Sequence, residues 1–229
     1  MATIYLIRHG QASFGNHNYD QLSETGWEQA RVLGHWLAGR VHPDVVIGGD
    51  MQRHRETVEA IASGYRAPFP DMQVAVGFNE FDPTSVVHRF RPEWADRERM
   101  QADLAATGHP AKAFQQTFTQ AVQRWVSGDH DGEYPESWVE FKARVNGALD
   151  ELIGWANGGD VFVSTSGGPI AVTIQSLLEL SDSKALALNE VIANTSVTRV
   201  LYSGRRRSLA VFNNYSHLEA EGQDLVTFR

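Results

Sequence analysis

Polar residues that suit the chemistry of a phosphoryl group lie in the segments that follow the hydrophobic runs of this sequence. They are Arg8, His9, Gln11, Asn16, Arg53, Glu80, Ser166 and Gly167. The rigid fork of N–H donors on arginine matches phosphate oxygens, and a glycine turn that opens a helix adds backbone N–H donors. Beside such donors a neutral imidazole can attack phosphorus while a carboxylic acid protonates the leaving oxygen. The set therefore predicts a phosphoryl-transfer site with His9 as the acceptor.

The hydrophobic runs alternate between the periods of strands and helices. Apolar, β-branched runs predict strands at 3–7, 44–48, 73–76 and 160–164, followed by a late pair at 196–202 and 209–213. Helical spacing of apolar residues predicts helices between them, including 52–62, 137–156 and 170–180. This alternation is typical of a three-layer α/β/α fold with a doubly wound, mostly parallel sheet. Such a sheet binds its ligand at the carboxyl ends of the strands, which is where the polar candidates lie.

Residues 79–135 interrupt this alternation. The stretch is rich in His, Arg, Trp and Phe, and it carries helical patterns near 93–106 and 111–127 without a clear strand pattern. We interpret it as a helical insertion that covers one edge of the sheet, within a single domain of residues 1–229.

Composition disfavours several classes of protein and site. The 229 residues include no cysteine and carry a formal charge of −8. The chain therefore has no disulfide, thiolate nucleophile or thiolate metal site, and its charge disfavours non-specific binding to nucleic acid. No apolar stretch approaches the roughly 20 residues that cross a bilayer. The histidines also lack the spacing of a zinc motif. We expect a cytoplasmic protein with no membrane segment, metal or cofactor, and leave its oligomeric state open.

Six segments, in order along the chain, carry a recognisable set of motifs. They are Leu6–Gln11, Leu22–Ala30, Asp50–Arg53 with Thr57, Glu136–Val145, Asn194–Thr198 and Asn213–Leu218. Together they resemble the histidine phosphatase superfamily, in its phosphoglycerate-mutase-like branch. The likeness covers most of the chain apart from the insertion. Arg-His-Gly alone is a short motif, whereas six matching segments in the right order are a specific signal.

The resemblance implies a role for each matching residue. His9 would be the nucleophile that becomes phosphohistidine, and Arg8 and Arg53 would hold the phosphoryl oxygens. Glu80 would protonate the leaving group, with Asp82 as a competing acid two residues further on. The implied reaction is the hydrolysis of a small phosphorylated substrate, with inorganic phosphate as a product.

Two positions depart from the family pattern. Ser166 stands where most members have a second histidine that binds the phosphoryl oxygens, followed here by Gly167. A neutral hydroxyl gives a weaker hydrogen bond than a charged imidazolium, so efficient catalysis does not follow from the resemblance. His54, His88 and His217 are other histidines that could reach the pocket, but sequence alone does not place them. Gln11 stands where many relatives have Glu, which makes the pocket less negative, and Asn16 is expected at its mouth.

Three alternatives stay open beside hydrolysis. A mutase would retain the phosphoryl group between half-reactions and exclude water. A degenerate member would bind a phosphorylated ligand without turnover, which the loss of the second histidine suggests. A serine hydrolase would use Ser166, although the nucleophile-elbow pattern asks for Gly at the position of Ser164.

Overall fold

Buried β-branched and aromatic residues form the first strand, and the sheet is built around it. The computed structural model describes residues 2–13, 20–156, 158–204 and 206–228. The strands within these ranges are β1 (Ala2–Arg8), β2 (Val45–Gly48), β3 (Met72–Val74), β4 (Val161–Thr165), β5 (Val197–Ser203) and β6 (Arg206–Asn214). The helices are α1 (Glu24–Leu37), α2 (Gln52–Tyr65), α3 (Pro83–Phe90), α4 (Arg97–Ala106), α5 (Pro110–Val126), α6 (Trp138–Trp155), α7 (Gly167–Leu178), α8 (Asp182–Val191) and α9 (Ser216–Glu221).

The sheet has the order β3-β2-β4-β1-β5-β6 in the described part of the chain. The pairs β3–β2, β2–β4 and β4–β1 are parallel, whereas β1–β5 and β5–β6 are antiparallel. The predicted α/β class with a mostly parallel sheet is therefore confirmed. The β1–β4 register pairs Arg8 with Thr165, so the carboxyl ends of these two central strands lie side by side.

Alternate residues of β1 enter two separate cores, which explains why the strand carries apolar residues on both of its faces. Ile4 and Leu6 pack with residues of α6 and α7 in one core. Tyr5 and Ile7 pack with residues of α1 and α2 in the other. Because successive side chains of a strand point to opposite faces, the sheet has a helical layer on each side.

Helices α1 and α2 approach each other closely through glycines. A Cβ atom on Gly34 would lie 2.1 Å from the Ile61 carbonyl oxygen, and one on Gly64 would lie 2.2 Å from that of Arg31. Only residues without a Cβ allow backbones to approach this closely. The contact fixes the carboxyl-terminal half of α2 against α1, and the first turn of the same helix carries Arg53 and His54.

The chain divides into two compact units, residues 1–80 with 145–229 and residues 81–144. The second unit contains helices and no strand. Asp82 caps α3 by accepting the Thr84 N–H at 2.9 Å, and Asp96 caps α4. An aromatic cluster forms its interior from Phe81, Trp125, Trp138 and Phe141. That residues 79–135 act as a cap within a single domain stays a prediction. No helix in the described residues is long and apolar enough to cross a membrane.

Candidate phosphoryl-transfer site

His9 lies buried at the end of β1, and backbone contacts determine which of its ring nitrogens carries the proton. The backbone N–H of His9 donates to the Thr165 carbonyl oxygen at 2.9 Å, across the β1–β4 pair. The ring Nδ1 lies 2.7 Å from the Gly10 carbonyl oxygen. A carbonyl oxygen only accepts hydrogen bonds, so Nδ1 carries the proton and the lone pair lies on Nε2. His9 therefore carries an unprotonated Nε2 with its lone pair available.

The surroundings of His9 also keep its ring neutral. Burial lowers the pKa of His9 well below the ordinary value of 6.5, and the nearby charges of Arg53 and Arg8 lower it further. The hydrogen bond to the Gly10 carbonyl acts in the opposite direction and is the smaller effect. Because an imidazolium has no lone pair to offer, this depressed pKa keeps the nucleophilic form dominant at neutral pH.

The Arg-His-Gly segment is fixed by backbone packing as well as by hydrogen bonds. The Gly10 N–H donates to the Thr57 hydroxyl at 3.0 Å, and that hydroxyl donates to the Arg53 carbonyl at 2.7 Å. A Cβ on Gly10 would lie 2.4 Å from the carbonyl oxygen of Gly26 in α1. Thr57, Gly10 and Gly26 thus hold the motif segments on β1, α1 and α2 in contact with one another.

The two predicted phosphate-binding arginines both lie close enough to lower the pKa of His9, but each also binds protein atoms. Arg8 Nη1 donates to the Phe228 carbonyl at 2.9 Å and to the Ile192 carbonyl. Arg53 is 6 % exposed, and its Nη1 pairs with the Asp20 carboxylate at 2.6 Å. The structure brings both cations to His9, while their contact with a phosphoryl group stays a prediction.

Glu80 follows β3 in the chain, and its side chain binds the turn that follows β4. Its Oε2 accepts the Gly168 N–H at 3.0 Å, in the first turn of α7. The preceding segment is held to β4 because the Thr165 hydroxyl donates to the Phe78 carbonyl at 2.6 Å. Glu80 is thus placed beside the same strand end whose Thr165 carbonyl accepts the His9 N–H. The alternative acid, Asp82, instead caps α3 in the second unit.

Gln11, Gly167 and Asn16 are three further residues that the sequence predicts at the site. Gln11 lies next to His9 in the fixed segment, and its Oε1 accepts the Ser23 hydroxyl at 2.8 Å. Gly167 is buried, and a Cβ there would lie 2.1 Å from Asn189 Oδ1. Asn16 lies outside the described residues, so its predicted place at the pocket mouth stays a prediction.

Ser166 has a partner that the sequence did not identify. Its Oγ lies 2.8 Å from Nε2 of His54, and both side chains are buried. The His54 ring centroid is 5.8 Å from that of His9. Burial, followed by the charge of Arg53, lowers the pKa of His54 well below 6.5. A signal was present, because His54 directly follows the motif arginine Arg53, but 112 residues separate it from Ser166.

Asn194 and Thr195 belong to one of the six motif segments, but the sequence assigned them no role; in the structure they hold the backbone of Arg8 and His9. The Asn194 side chain donates to the His9 carbonyl at 3.0 Å, and the Thr195 N–H donates to the Arg8 carbonyl at 3.0 Å. Thr195 adopts φ = 54°, an uncommon conformation for a residue with a branched side chain. Asn194 in turn exchanges two hydrogen bonds with Thr227. The end of β1 is therefore held by hydrogen bonds from residues that are distant in sequence.

Within the described residues, no group of three or more His, Cys, Asp or Glu side chains is arranged to hold a metal ion.

Comparison with known families identifies the chain. It matches the histidine phosphatase superfamily (branch 1) over residues 4–128 and 97–215. The chain belongs to this superfamily. This superfamily member is 24% identical to a broad-specificity phosphatase of Saccharomyces cerevisiae, and the alignment covers 98% of this chain and 90% of the relative.

Solved structures share the fold of this superfamily member. A phosphoglycerate mutase from Bacillus anthracis superimposes with a TM-score of 0.65 at 19% identity, over 94% of both chains. A phosphoserine phosphatase from Entamoeba histolytica, in complex with phosphoserine, gives 0.64 at 15% identity, over 95% of this chain and all of the other. At such identities these two likenesses show the fold alone.

Proposed function

We propose that this superfamily member is a phosphomonoesterase that works through a phosphohistidine on His9. The observation that carries the proposal is the fixed tautomer of that residue. Nδ1 is bound to the Gly10 carbonyl, the ring is kept neutral, and Nε2 holds the lone pair. A nucleophile oriented in this way needs no base to remove a proton before it attacks.

The reaction then follows in two steps with all atoms accounted for. In the first, His9 Nε2 forms a bond to phosphorus while the bond from phosphorus to the ester oxygen breaks, and Glu80 gives its proton to that oxygen. In the second, water attacks phosphorus and gives a proton to the Glu80 carboxylate. The P–N bond breaks, and neutral His9 and inorganic phosphate are released.

Charge at the site supports these roles. Arg8 and Arg53 both lower the pKa of His9, so their positive potential also acts on any phosphoryl group bound to Nε2. Guanidinium groups at such positions stabilise the charge on the transferring oxygens. We propose that one or both arginines exchange part of their present contacts, such as that of Arg53 with Asp20, for phosphoryl oxygens.

The relatives support a small phosphorylated substrate and leave the choice between water and a second acceptor to experiment. The yeast relative is a broad-specificity phosphatase, whereas one structural neighbour is a mutase. We favour water as the acceptor because the yeast relative, which aligns over 98% of this chain, is a phosphatase.

The covalent step is tested by rapid quenching with a ³²P-labelled aryl phosphate. The expected result is a burst of protein-bound label that is stable in base and lost in acid, as a phosphoramidate bond is. His9→Ala should abolish it, whereas His109→Ala, which changes an exposed histidine in the second unit, should leave it intact. Hydrolysis by His9→Ala at the wild-type rate would show that the proposal is wrong.

The same experiment separates the alternatives. A mutase would transfer the trapped label to an added phosphorylated acceptor faster than to water. A degenerate member would retain affinity for inorganic phosphate or vanadate, yet show no burst with any ester in a broad panel.

A further inference from the structure

The Ser166 hydroxyl is at a helix N-cap but does not cap the helix. Serine at this position usually accepts an N–H from the first turn. Here Ser166 makes no such bond, and the Gly168 N–H in that turn is bound by Glu80 at 3.0 Å. The hydroxyl is thus available for another interaction, and it lies 2.8 Å from His54 Nε2.

The environment of His54 indicates the direction of this hydrogen bond. Its Nδ1 is buried and has no hydrogen-bond partner among the described residues. A buried N–H without an acceptor is rarer and costlier than a buried lone pair without a donor. The proton of the neutral ring therefore belongs on Nε2, which donates to the Ser166 oxygen. This leaves the hydrogen of the Ser166 hydroxyl free to bind another acceptor.

The position of His54 is built by several specific contacts. A Cβ on Gly49 would lie 2.4 Å from His54 Nδ1, so the ring occupies space that only glycine at this position provides. The Ser164 hydroxyl donates to the His54 carbonyl at 3.0 Å, which ties the start of α2 to β4. These contacts hold the ring beside Ser166 at the end of β4, with its centroid 5.8 Å from that of His9.

Resting on the phosphatase activity proposed above, we propose that His54 is a positioning residue that acts on the phosphoryl group through Ser166. The Ser166 hydroxyl donates to a phosphoryl oxygen in the transition state, while Nε2–H of His54 donates to the Ser166 oxygen. No proton is transferred along this chain, which we call the His54–Ser166 relay. In this relay the imidazole of His54 comes from α2, and the hydroxyl of Ser166 comes from the turn after β4.

The relay strengthens the hydroxyl as a donor in two ways. Accepting a hydrogen bond polarises an O–H group, so that it donates more strongly to the next acceptor. The same bond also prevents Ser166 from turning its hydrogen towards His54 or capping α7. Losing a hydrogen bond to a charged group lowers the rate by about tenfold to a hundredfold, and we expect a loss of this size when either residue is truncated.

The test measures the burst rate, kcat and KM with an aryl phosphate in His54→Ala, Ser166→Ala and the double variant. Each single change should lower the burst rate and kcat by the amount given above, with a smaller change in KM. The double variant should be no slower than the slower single variant, because both changes break one chain of bonds. Inhibition by vanadate should weaken in parallel with kcat, and inhibition by phosphate should weaken less.

Conservative variants separate the relay from a purely structural role. In His54→Gln the amide nitrogen lies near the position of Nε2, so this variant should retain most of the activity that His54→Ala loses. In the His54→Ala background, Ser166→His places an imidazole directly on the turn and should restore activity. The control is Thr173→Val, which removes a buried hydroxyl in the same helix that donates to the Pro169 carbonyl. It should leave kcat unchanged.

The outcomes distinguish this inference from the proposed function. If the wild-type chain forms no phosphohistidine, the proposed function fails. If it does, and His54→Ala forms it equally fast, or the two losses add, only the relay is overturned. Covalent labelling of Ser166 by a fluorophosphonate would also overturn the relay, because it would make Ser166 a nucleophile. Should His54→Ala not fold, Ser166→Ala and His54→Gln carry the same test, with melting curves as the check on folding.

Discussion

The carboxyl ends of β1 and β4 lie side by side, yet the side chains of His9 and Ser166, one at each end, are held in different ways. At the end of β1, a backbone carbonyl orients His9, and its own N–H binds the backbone of β4. At the end of β4, the Ser166 hydroxyl, for which we propose a role, is bound instead by a side chain from α2. The first arrangement needs little from other side chains, whereas the second depends on residues that are far apart in sequence.

Glycine packing differs in the same sense. A Cβ on Gly26 would meet the Gln11 backbone at 2.2 Å, whereas one on Gly167 would meet the end of the Asn189 side chain at 2.1 Å. Backbone cannot move away without displacing its neighbours, but a side-chain amide can rotate. We infer that the β1 end tolerates almost no change, and that the β4 end can exchange one set of side chains for another.

The largest effect on kcat is expected from a change at Glu80, whose side chain binds the turn after β4. Glu80→Gln keeps an oxygen that can accept the Gly168 N–H but has no acidic proton. Loss of a general acid should lower kcat by about a hundredfold to ten-thousandfold for alkyl phosphates, whose leaving oxygens need protonation. It should have much less effect on p-nitrophenyl phosphate, whose leaving group departs without protonation.

Asp82→Asn is the matched control, since Asp82 is the other candidate acid and also serves as a helix cap. It should lower stability slightly without changing the dependence on leaving group. The assignment of Glu80 fails if Asp82→Asn shows that dependence and Glu80→Gln does not.

A second prediction uses His217, a buried histidine that also lies beside a hydroxyl, with Nε2 3.1 Å from Thr195 Oγ1. Burial lowers the pKa of His217 from 6.5 to about 4. Between pH 6.5 and about pH 4, the His217 imidazole is protonated in the unfolded chain but not in the folded chain. Stability is therefore lost as pH falls from 6.5 towards 4, by about 3 kcal/mol from this residue.

Urea unfolding at a series of pH values measures this effect. His217→Gln should flatten the acid limb of the free energy of unfolding, whereas His109→Gln, at an exposed position, should not. An unchanged pH dependence in His217→Gln would contradict the assignment. The result would also show that a buried imidazole beside a hydroxyl affects stability at one position and, by our proposal, rate at another.

The smallest differences are expected from the glycines. Gly26→Ala should destabilise the fold by about 1–3 kcal/mol through overpacking, and should reduce activity because it displaces the segment next to His9. Gly167→Ala should cost less, and the cost should fall further when Asn189 is also changed to Ala. Gly147→Ala, inside α6 with nothing within 4 Å, should stabilise by about 0.5–1 kcal/mol. Thermal melts that give equal losses for Gly26→Ala and Gly167→Ala would refute the contrast between the two strand ends.

Sequence reasoning recovered the parts of the fold that depend on local pattern. Strands β1, β2 and β4 were predicted because their buried runs are short and apolar, and α2 and α7 because their apolar residues recur at helical spacing. Helix α8 was not predicted, since Ala185 is its only buried residue and leaves little periodicity. Helix α3 was also missed, although Asp82 and Pro83 form a helix-start signal.

For the site, sequence identified the ends of the strands but not the pairing of side chains across them. The likeness of the segment around His9 to known motifs was enough to nominate the nucleophile. The contact between His54 and Ser166 joins residues 112 positions apart, and no local pattern encodes such a distance. The departure at Ser166 was visible in the sequence, whereas its partner required the fold.

The bonds around Arg8 have a consequence for synthesis of the chain. One of its acceptors is the Phe228 carbonyl, 220 residues further on, and Thr227 binds Asn194, which supports the His9 backbone. A nascent chain that already carries His9 and both arginines still lacks these bonds. The contacts of Arg8 are therefore complete only when the chain has been translated as far as residue 228, so a shorter nascent chain does not yet hold Arg8 in this way.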